Sequence, residues 1–321
     1  MKKRMLGKSG IQVSEIGLGC MGMDHAYGEQ ADRDKMIELI RKSVELGCNF
    51  FDTAVVYGEE NEKLLGKALK FIRNEVVIAT KFGIIGQRVI NEELENILDS
   101  SPESIRRQVE GSLKRLNTDY IDLYYQHRVD PNVEPEVVAE VMKELIEEGK
   151  IKAWGLSNAS IDYMKRAHAV CPIAAIENQY SMVWREPEKE IFDLCEEMGI
   201  AFVAYSPLGN GFLSGRFTKN MKYEKGDFRS FMGRFKPEVM DNNQGLLDLI
   251  AEVAKAKNAT SAQIVLAWEL AQKPFIIPIP GTTNINRLKE NLGGADIDLT
   301  KEELDKLDDA LAKINIDETH F

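Results

Sequence analysis

Short apolar runs rich in β-branched and aromatic residues alternate along this chain with longer amphipathic stretches. The runs predict strands. The stretches, with apolar positions recurring about every 3.6 residues, predict helices. The run from Glu15 to Met21 precedes 31–47, where Met36, Ile37, Ile40, Val44 and Leu46 recur near that period. CNFFDT precedes NEKLLGKALKFI, and EVVIATKFG precedes SPESIRRQVEGSLKRLN. DYIDLYYQH precedes PEVVAEVMKELIEEGK, KIKAWGLSN precedes SIDYMKRAHAV, and PIAAIENQYS precedes EPEKEIFDLCEEMG. IAFVAYSPL leads into a long irregular stretch and then helices near 241–257 and 261–272; FIIPIPG precedes TNINRLKENL. Punctuation agrees: Ser101 is a candidate N-cap with Pro102 at the first helical position, and Gly199 suits a helix C-terminus.

Eight strand–helix units predict a parallel sheet, and near-continuously apolar strands predict its closure into a (β/α)8 barrel. The expected organisation is α/β, one domain over residues 1–321, since barrels of this size run as single domains. A doubly wound sheet would carry a Gly-rich phosphate loop after its first strand. GLGCMG is not that fingerprint, and no helix starts directly after it. Two features stand outside the units. Residues 3–13 read as a hairpin around GKSG that could plug the barrel's N-terminal end. Residues 208–240 form a long Gly-bearing loop, and such loops are usually functional or mobile.

Barrel enzymes place their chemistry where the strands end. Here Asp52 ends the second strand, Lys81 the third, His127 the fourth, Ser157 and Asn158 the fifth, Gln179 the sixth, Tyr205 and Ser206 the seventh and Gly281 the eighth. Any strand turns polar as it leaves the core, which explains polarity but not an Asp, a Lys and a His on successive strands. A buried charge pair without further use is often no better than apolar packing. Tyr57 follows Asp52 on the loop returning to the mouth. A nearby ammonium is expected to lower its pKa from about 10, with Asp52 holding Lys81 charged. His127 could donate a hydrogen bond or relay a proton. The set suits protonation of a carbonyl oxygen and supplies no hydride, which requires a cofactor. Ser157, Asn158 and Gln179 could hydrogen-bond a carboxamide, and Tyr205 could stack on a pyridine ring. GTTNINRLKEN opens a helix whose N-terminus favours phosphate, with Thr282 and Thr283 offering hydroxyls and Arg287 placed for a 2′-phosphate. An exposed helical Arg is by itself usually a solvated charge.

Composition narrows the partners. With 41 Lys plus Arg against 52 Asp plus Glu, the net charge is −11 and no basic cluster exists to grip nucleic acid or an anionic membrane. No apolar stretch reaches the length of a membrane span, and the charged N-terminus lacks a signal peptide's apolar core. Cys20, Cys48, Cys171 and Cys195 have no metal-binding spacing, which points to reduced thiols and a cytoplasmic location. The four histidines include no i, i+4 pair, so no metal site is expected. Trp154 and Trp268 read as core, His168 as solvated, and His25 as a candidate for the pocket wall. Trp184, Phe228 and Phe231 are candidates for walling a substrate site.

Over essentially its whole length the sequence resembles the aldo-keto reductases, in the branch near the potassium-channel β subunits. The carriers are FDTAVVYG with NEKLLGKAL, IATKFG, DYIDLYYQHRVDP, IKAWGLSN, ENQYS, AYSPLGNGFLSGR and IPIPGTTNINRLKEN. The resemblance implies NADPH-dependent reduction of aldehydes and ketones on a (β/α)8 barrel. It assigns a catalytic tetrad to Asp52, Tyr57, Lys81 and His127, with Tyr57 the general acid. Tyr57, His127 and Trp184 would meet the substrate. Ser157, Asn158 and Gln179 would hold the carboxamide, and Tyr205 would stack on the nicotinamide, with Asp52, Cys20 and Met21 nearby. Ser206, Pro207, Leu208 and Gly209 would line the pyrophosphate, with Arg216 and Arg229 closing from the long loop. Gly281, Thr283, Arg287, Glu290 and Asn291 would take the adenosine end. Relatives of the aldose-reductase branch carry Lys where this chain has Gly281, which removes one 2′-phosphate contact; Arg287 keeps the expectation on NADP(H). The short segment AKINIDETHF after Leu311 implies an open, permissive pocket. Two other readings compete: an NADP-binding regulatory protein with weak catalysis, against which His127 argues because channel subunits carry Asn there, and a lyase using Lys81 as a Schiff-base nucleophile. The physiological carbonyl, the reaction direction and the oligomeric state are not legible.

Overall fold

The computed structural model describes residues 1–24, 27, 31–90, 93–223 and 226–313. An N-terminal hairpin, β1 (Lys3–Met5) and β2 (Gln12–Ser14), precedes the barrel. The barrel strands are β3 (Leu18–Gly19), β4 (Phe50–Asp52), β5 (Val77–Phe82), β8 (Ile121–Gln126), β9 (Ile151–Ser157), β10 (Ala175–Gln179), β11 (Ala201–Tyr205) and β12 (Ile276–Pro278). Each pairs in parallel with the next. A parallel bridge between Gly19 and Gly281, with Gly17 N–H donating to Pro278 O at 2.9 Å, joins the last strand to the first. The chain is a (β/α)8 barrel, as the strand–helix alternation predicts. A second hairpin, β6 (Ile84–Ile90) and β7 (Glu93–Leu98), is inserted after β5.

The helices are α1 (Arg33–Glu45), α2 (Glu59–Leu69), α3 (Pro102–Leu116), α4 (Pro135–Glu147), α5 (Ile161–Val170), α6 (Ile191–Met198), α7 (Pro237–Asn242), α8 (Gln244–Ala256), α9 (Ser261–Gln272), α10 (Ile285–Leu292) and α11 (Lys301–Lys313). Their starts are chemically marked. Ser101 Oγ accepts from Ser104 N–H ahead of Pro102, and Thr260 and Gln263 form a reciprocal capping box on α9. Gly199 ends α6 in the left-handed conformation, φ 68°.

Strand alternation splits the core in two. Outward side chains such as Phe51, Ile78, Tyr124, Trp154 and Phe202 pack against the helices. Inward ones, among them Phe50, Ala79, Leu123, Tyr125, Ala153, Ala175, Val203 and Ile277, fill the barrel together with Leu6 and Val13 of the first hairpin. That hairpin therefore closes one end, as its position in the sequence suggests. Gly7, at φ 53°, has no room for a Cβ, which would stand 2.6 Å from Ala174 O. The long connection after β11 is built from short 3₁₀ turns, at 209–214, 228–230 and 233–235, before α7 begins. Helix α11 and the β6–β7 hairpin are elements that the alternation does not reveal.

Candidate functional site

Strands β4, β5 and β8 run side by side, with Asp52 opposite Ala79 and Lys81 opposite Tyr125. Period-two alternation sends Asp52 and Lys81 inward together. Lys81 Nζ hydrogen-bonds Asp52 Oδ1 and donates to Thr53 O at 3.1 Å. Its ammonium is also 3.3 Å from Glu177 Oε1 of β10 and 3.4 Å from the Tyr57 hydroxyl. Tyr57 comes from a single 3₁₀ turn, Val55–Tyr57, that bends the chain back after β4. His127, just past β8, donates its backbone N–H to Phe82 O at 2.9 Å, and its ring stands perpendicular to that of Tyr57 at 5.9 Å between centroids. The structure thus brings Asp52, Tyr57, Lys81 and His127 together.

The electrostatics correct one expectation. Burial opposes charge on Lys81, but Asp52 and Glu177 outweigh it and hold the ammonium's pKa above its usual value. Tyr57 moves upward, not downward: burial around its hydroxyl is the largest influence, and Asp52 and Glu177 offset much of what Lys81 supplies. His127 is pushed well below the usual imidazole range by burial, then by Lys81 and Arg128. It is neutral near pH 7 and retains one N–H to donate.

The neighbouring strand ends carry hydrogen-bonding groups. Asn158, held at φ 52°, donates to Ser157 Oγ at 2.9 Å and accepts from the Tyr205 hydroxyl at 3.2 Å. Gln179 is buried, and its Nε2 has no partner. Tyr205 ends β11, and the chain then takes left-handed values at Ser206, Gly209, Asn210 and Gly211, with Pro207 and Gly209 buried and Leu208 packed on the core. The turn is bonded internally, Gly209 N–H donating to Ser206 O at 2.9 Å and Gly211 N–H to Leu208 O at 3.0 Å.

The adenosine-end candidates gather around α10. An open hollow of about 560 Å³ is lined by Arg216, Thr260, Gln263, Asn284, Arg287 and Glu290, among others. Asn284 caps α10 by accepting from Asn286 and Arg287 N–H. Arg216 pairs with Glu290, whereas Arg229 pairs with Asp227 and stacks over Phe217 and Tyr27. Arg287 is exposed, Asn291 is buried, and Gly281, beside Thr283, touches Gly19, where a Cβ would stand 3.0 Å from Gly19 O. Met21 begins a 3₁₀ turn and is half-buried. Cys20 points into the outer core, so only its backbone is available; its N–H donates to Asp52 O at 2.8 Å.

Other candidates separate. Trp184 lies half-buried in a tight turn after β10, paired through backbone bonds with Ser181. Phe228 packs against the outer core, and Phe231 is 83 % exposed. Trp154 and Trp268 are fully buried. His168 is not merely solvated: its Nδ1 accepts from Ile173 N–H at 3.1 Å. His25 and the segment after Lys313 lie outside the described residues. Three polar residues at or near the site lie outside the sequence reading: Glu177; Arg128, which donates to His127 O at 2.7 Å; and Arg234, a buried guanidinium without partners, close to Gly209 and lowered by burial to about 10. For Glu177 a signal existed, since it lies two residues before Gln179 and shares its inward face. Among the described residues, no cluster of metal-ligating side chains occurs and no helix is long and apolar enough to cross a membrane.

Comparison with known proteins agrees with this geometry. A family model described as the aldo/keto reductase family matches residues 15–312. A curated relative, the probable aldo-keto reductase 1 of Glycine max, is 42% identical over 308 residues, covering 95% of this chain and 88% of its own. The solved glycerol dehydrogenase of Gluconobacter oxydans superposes with a TM-score of 0.88 at 28% identity, over 98% of this chain and 96% of that one. An aldo/keto reductase of Klebsiella pneumoniae, solved in complex with NADP and acetate, gives 0.76 at 26% identity over 96% and 95%. With the match extending over nearly the whole barrel, the chain belongs to the aldo/keto reductases, a family of oxidoreductases that use NADP(H).

Proposed function

We propose that the protein reduces aldehydes and ketones to alcohols with NADPH, Tyr57 donating the proton to the carbonyl oxygen. The carrying observation is the buried Lys81 ammonium, fixed by Asp52 and Glu177 and 3.4 Å from the Tyr57 hydroxyl. Tyr57 keeps its proton at neutral pH, as a general acid must before reaction. As the proton leaves, negative charge grows on the phenol oxygen, and Lys81 stabilises it in a site of low dielectric. Neutral His127 donates its N–H to the same substrate oxygen, and Trp184 walls the mouth. Tyr205 would hold the nicotinamide ring of NADPH, which would supply the hydride. Ser157, Asn158 and the partnerless Gln179 Nε2 suit its carboxamide, and the turn 206–211 suits its pyrophosphate. Arg287, at the hollow beside α10, suits a 2′-phosphate.

The lyase reading finds no support, since a Schiff-base lysine must reach the neutral amine while the buried Asp52 carboxylate holds Lys81 as ammonium. Four free, buried cysteines fit a cytoplasmic location. Loss of NADPH absorbance across a panel of aromatic and aliphatic aldehydes and ketones tests the reading. Turnover is expected with several of them. NADPH binding without turnover on any would favour the regulatory role, and a borohydride-trapped Lys81 adduct formed without NADPH would overturn the reading.

A further inference from the structure

Two carboxyls face one cation inside the barrel. Lys81 Nζ takes Asp52 Oδ1 and lies 3.3 Å from Glu177 Oε1, and none of the three side chains is more than 3% exposed. This leaves Asp52 Oδ2 and Glu177 Oε2, both buried and both without a donor. The two carboxyls are within hydrogen-bond reach of each other. Ionised together they would repel, and both orphan oxygens would stay unsatisfied. A single proton removes both costs, because an O–H on one acid donates to the other. The titratable groups around Glu177 are Asp52 from β4, Tyr57 from the turn after it, Lys81 from β5, Tyr125 from β8 and Tyr205 from β11. Its neighbours in register, Ser157 and Val203, carry no charge. Lys81 is the one cation in that set.

We propose that Glu177 is a positioning residue: a carboxylic acid that shares one proton with Asp52, so that Lys81 balances one negative charge and stays beside Tyr57. The proton sits on Glu177 because Asp52 makes the closer contact with the ammonium. Burial, then Asp52, push the Glu177 carboxyl up to about 8, against the pull of Lys81. Above that pH the proton passes to solvent, and a second negative charge beside Lys81 makes Tyr57 a weaker acid. The kinetic consequence rests on the proposed role of Tyr57; the shared proton does not.

Infrared difference spectra of the cofactor-free protein, between about pH 6 and about pH 10, read the C=O stretch of protonated carboxyls. Glu269, fully buried with both oxygens partnerless, contributes a second such group, so Glu269→Gln is the background. In that variant one band is expected, lost with a midpoint near pH 8, and absent once Glu177→Gln is added. No protonated band at about pH 6, or a band surviving the second substitution, overturns the proposal. If the double variant does not fold, the midpoint in Glu269→Gln decides alone. In turnover, reduction by the wild type should step down near pH 8 and Glu177→Gln should lose that step. Glu177→Gln should also exceed Glu177→Ala in kcat by about tenfold, because the amide restores the hydrogen bond to Asp52. A titrating band with the step retained in Glu177→Gln overturns the positioning role. Turnover kept by Tyr57→Phe would instead overturn the reading of Tyr57, with the band unaffected.

Discussion

His127 is neutral because burial, Lys81 and Arg128 all disfavour its proton. A depressed histidine gives stability that is full above the unfolded pKa of about 6.5 and is lost as pH falls through the lower folded value. Thermal unfolding followed from about pH 7 down to about pH 4 should show Tm falling less steeply in His127→Gln than in the wild type. Equal slopes would place the protonation of His127 in the ordinary range. The same neutrality predicts no acid limb in kcat/KM near pH 6.5. Of the residues around the Lys81 ammonium, Asp52, Tyr57, Lys81 and His127 were legible because each lies at a strand end or on the turn that follows one. Glu177 sits one layer deeper, two residues before the strand end at Gln179, so its inward face was legible but its contact with Lys81 across the barrel was not. The direction of the Tyr57 shift was illegible for a related reason: it depends on Glu177 and on how far the hydroxyl is buried.

At the level of elements, period and capping located the barrel strands and most helices. They failed where the local signal was weak. The β6–β7 hairpin has no Asn-Gly or Asp-Gly turn, and both strands are largely solvent-facing, so no buried face marks them. Helix α9 is apolar nearly all round, because it packs between the barrel and α8 and α10, and its Trp268 Nε1–H donates to Asp308 of α11 at 2.9 Å. Its one buried acid, Glu269, has no partner, and burial raises its pKa well above the carboxylate range. An acid raised in this way gives stability that is full below the unfolded pKa of about 4.3 and lost as pH rises toward the folded value. Glu269→Gln should therefore raise stability by about 1–3 kcal/mol at neutral pH, with a gain that grows toward alkaline pH. Urea denaturation at several pH values checks this, and a gain that shrinks with pH would mean that Glu269 is ionised and compensated.

Across the whole molecule the barrel separates tasks. The first hairpin seals one end with Leu6 and Val13, and polar residues occupy the other. The chain carries a net charge of −11, yet Arg216, Arg229 and Arg287 approach one another around α10. A ligand carrying phosphate is the partner such a grouping suits. NADPH at a hundredfold excess over its Kd should stabilise the fold by about 2.7 kcal/mol. NADH at equal concentration should raise Tm less. Arg287→Ala should narrow the difference, weakening NADPH by about tenfold while leaving NADH nearly unaffected. Equal weakening of both would assign Arg287 to the shared part of the cofactor.

The central claim is that the Tyr57 phenol delivers the proton. Tyr57→Phe removes one oxygen from a half-buried ring and leaves Asp52, Lys81 and Glu177 in contact. Steady-state reduction of an aldehyde, measured beside NADPH binding by fluorescence, tests it most directly. The account predicts a fall in kcat of about 10²–10⁴-fold with the NADPH Kd unchanged. Turnover near the wild-type rate would contradict it.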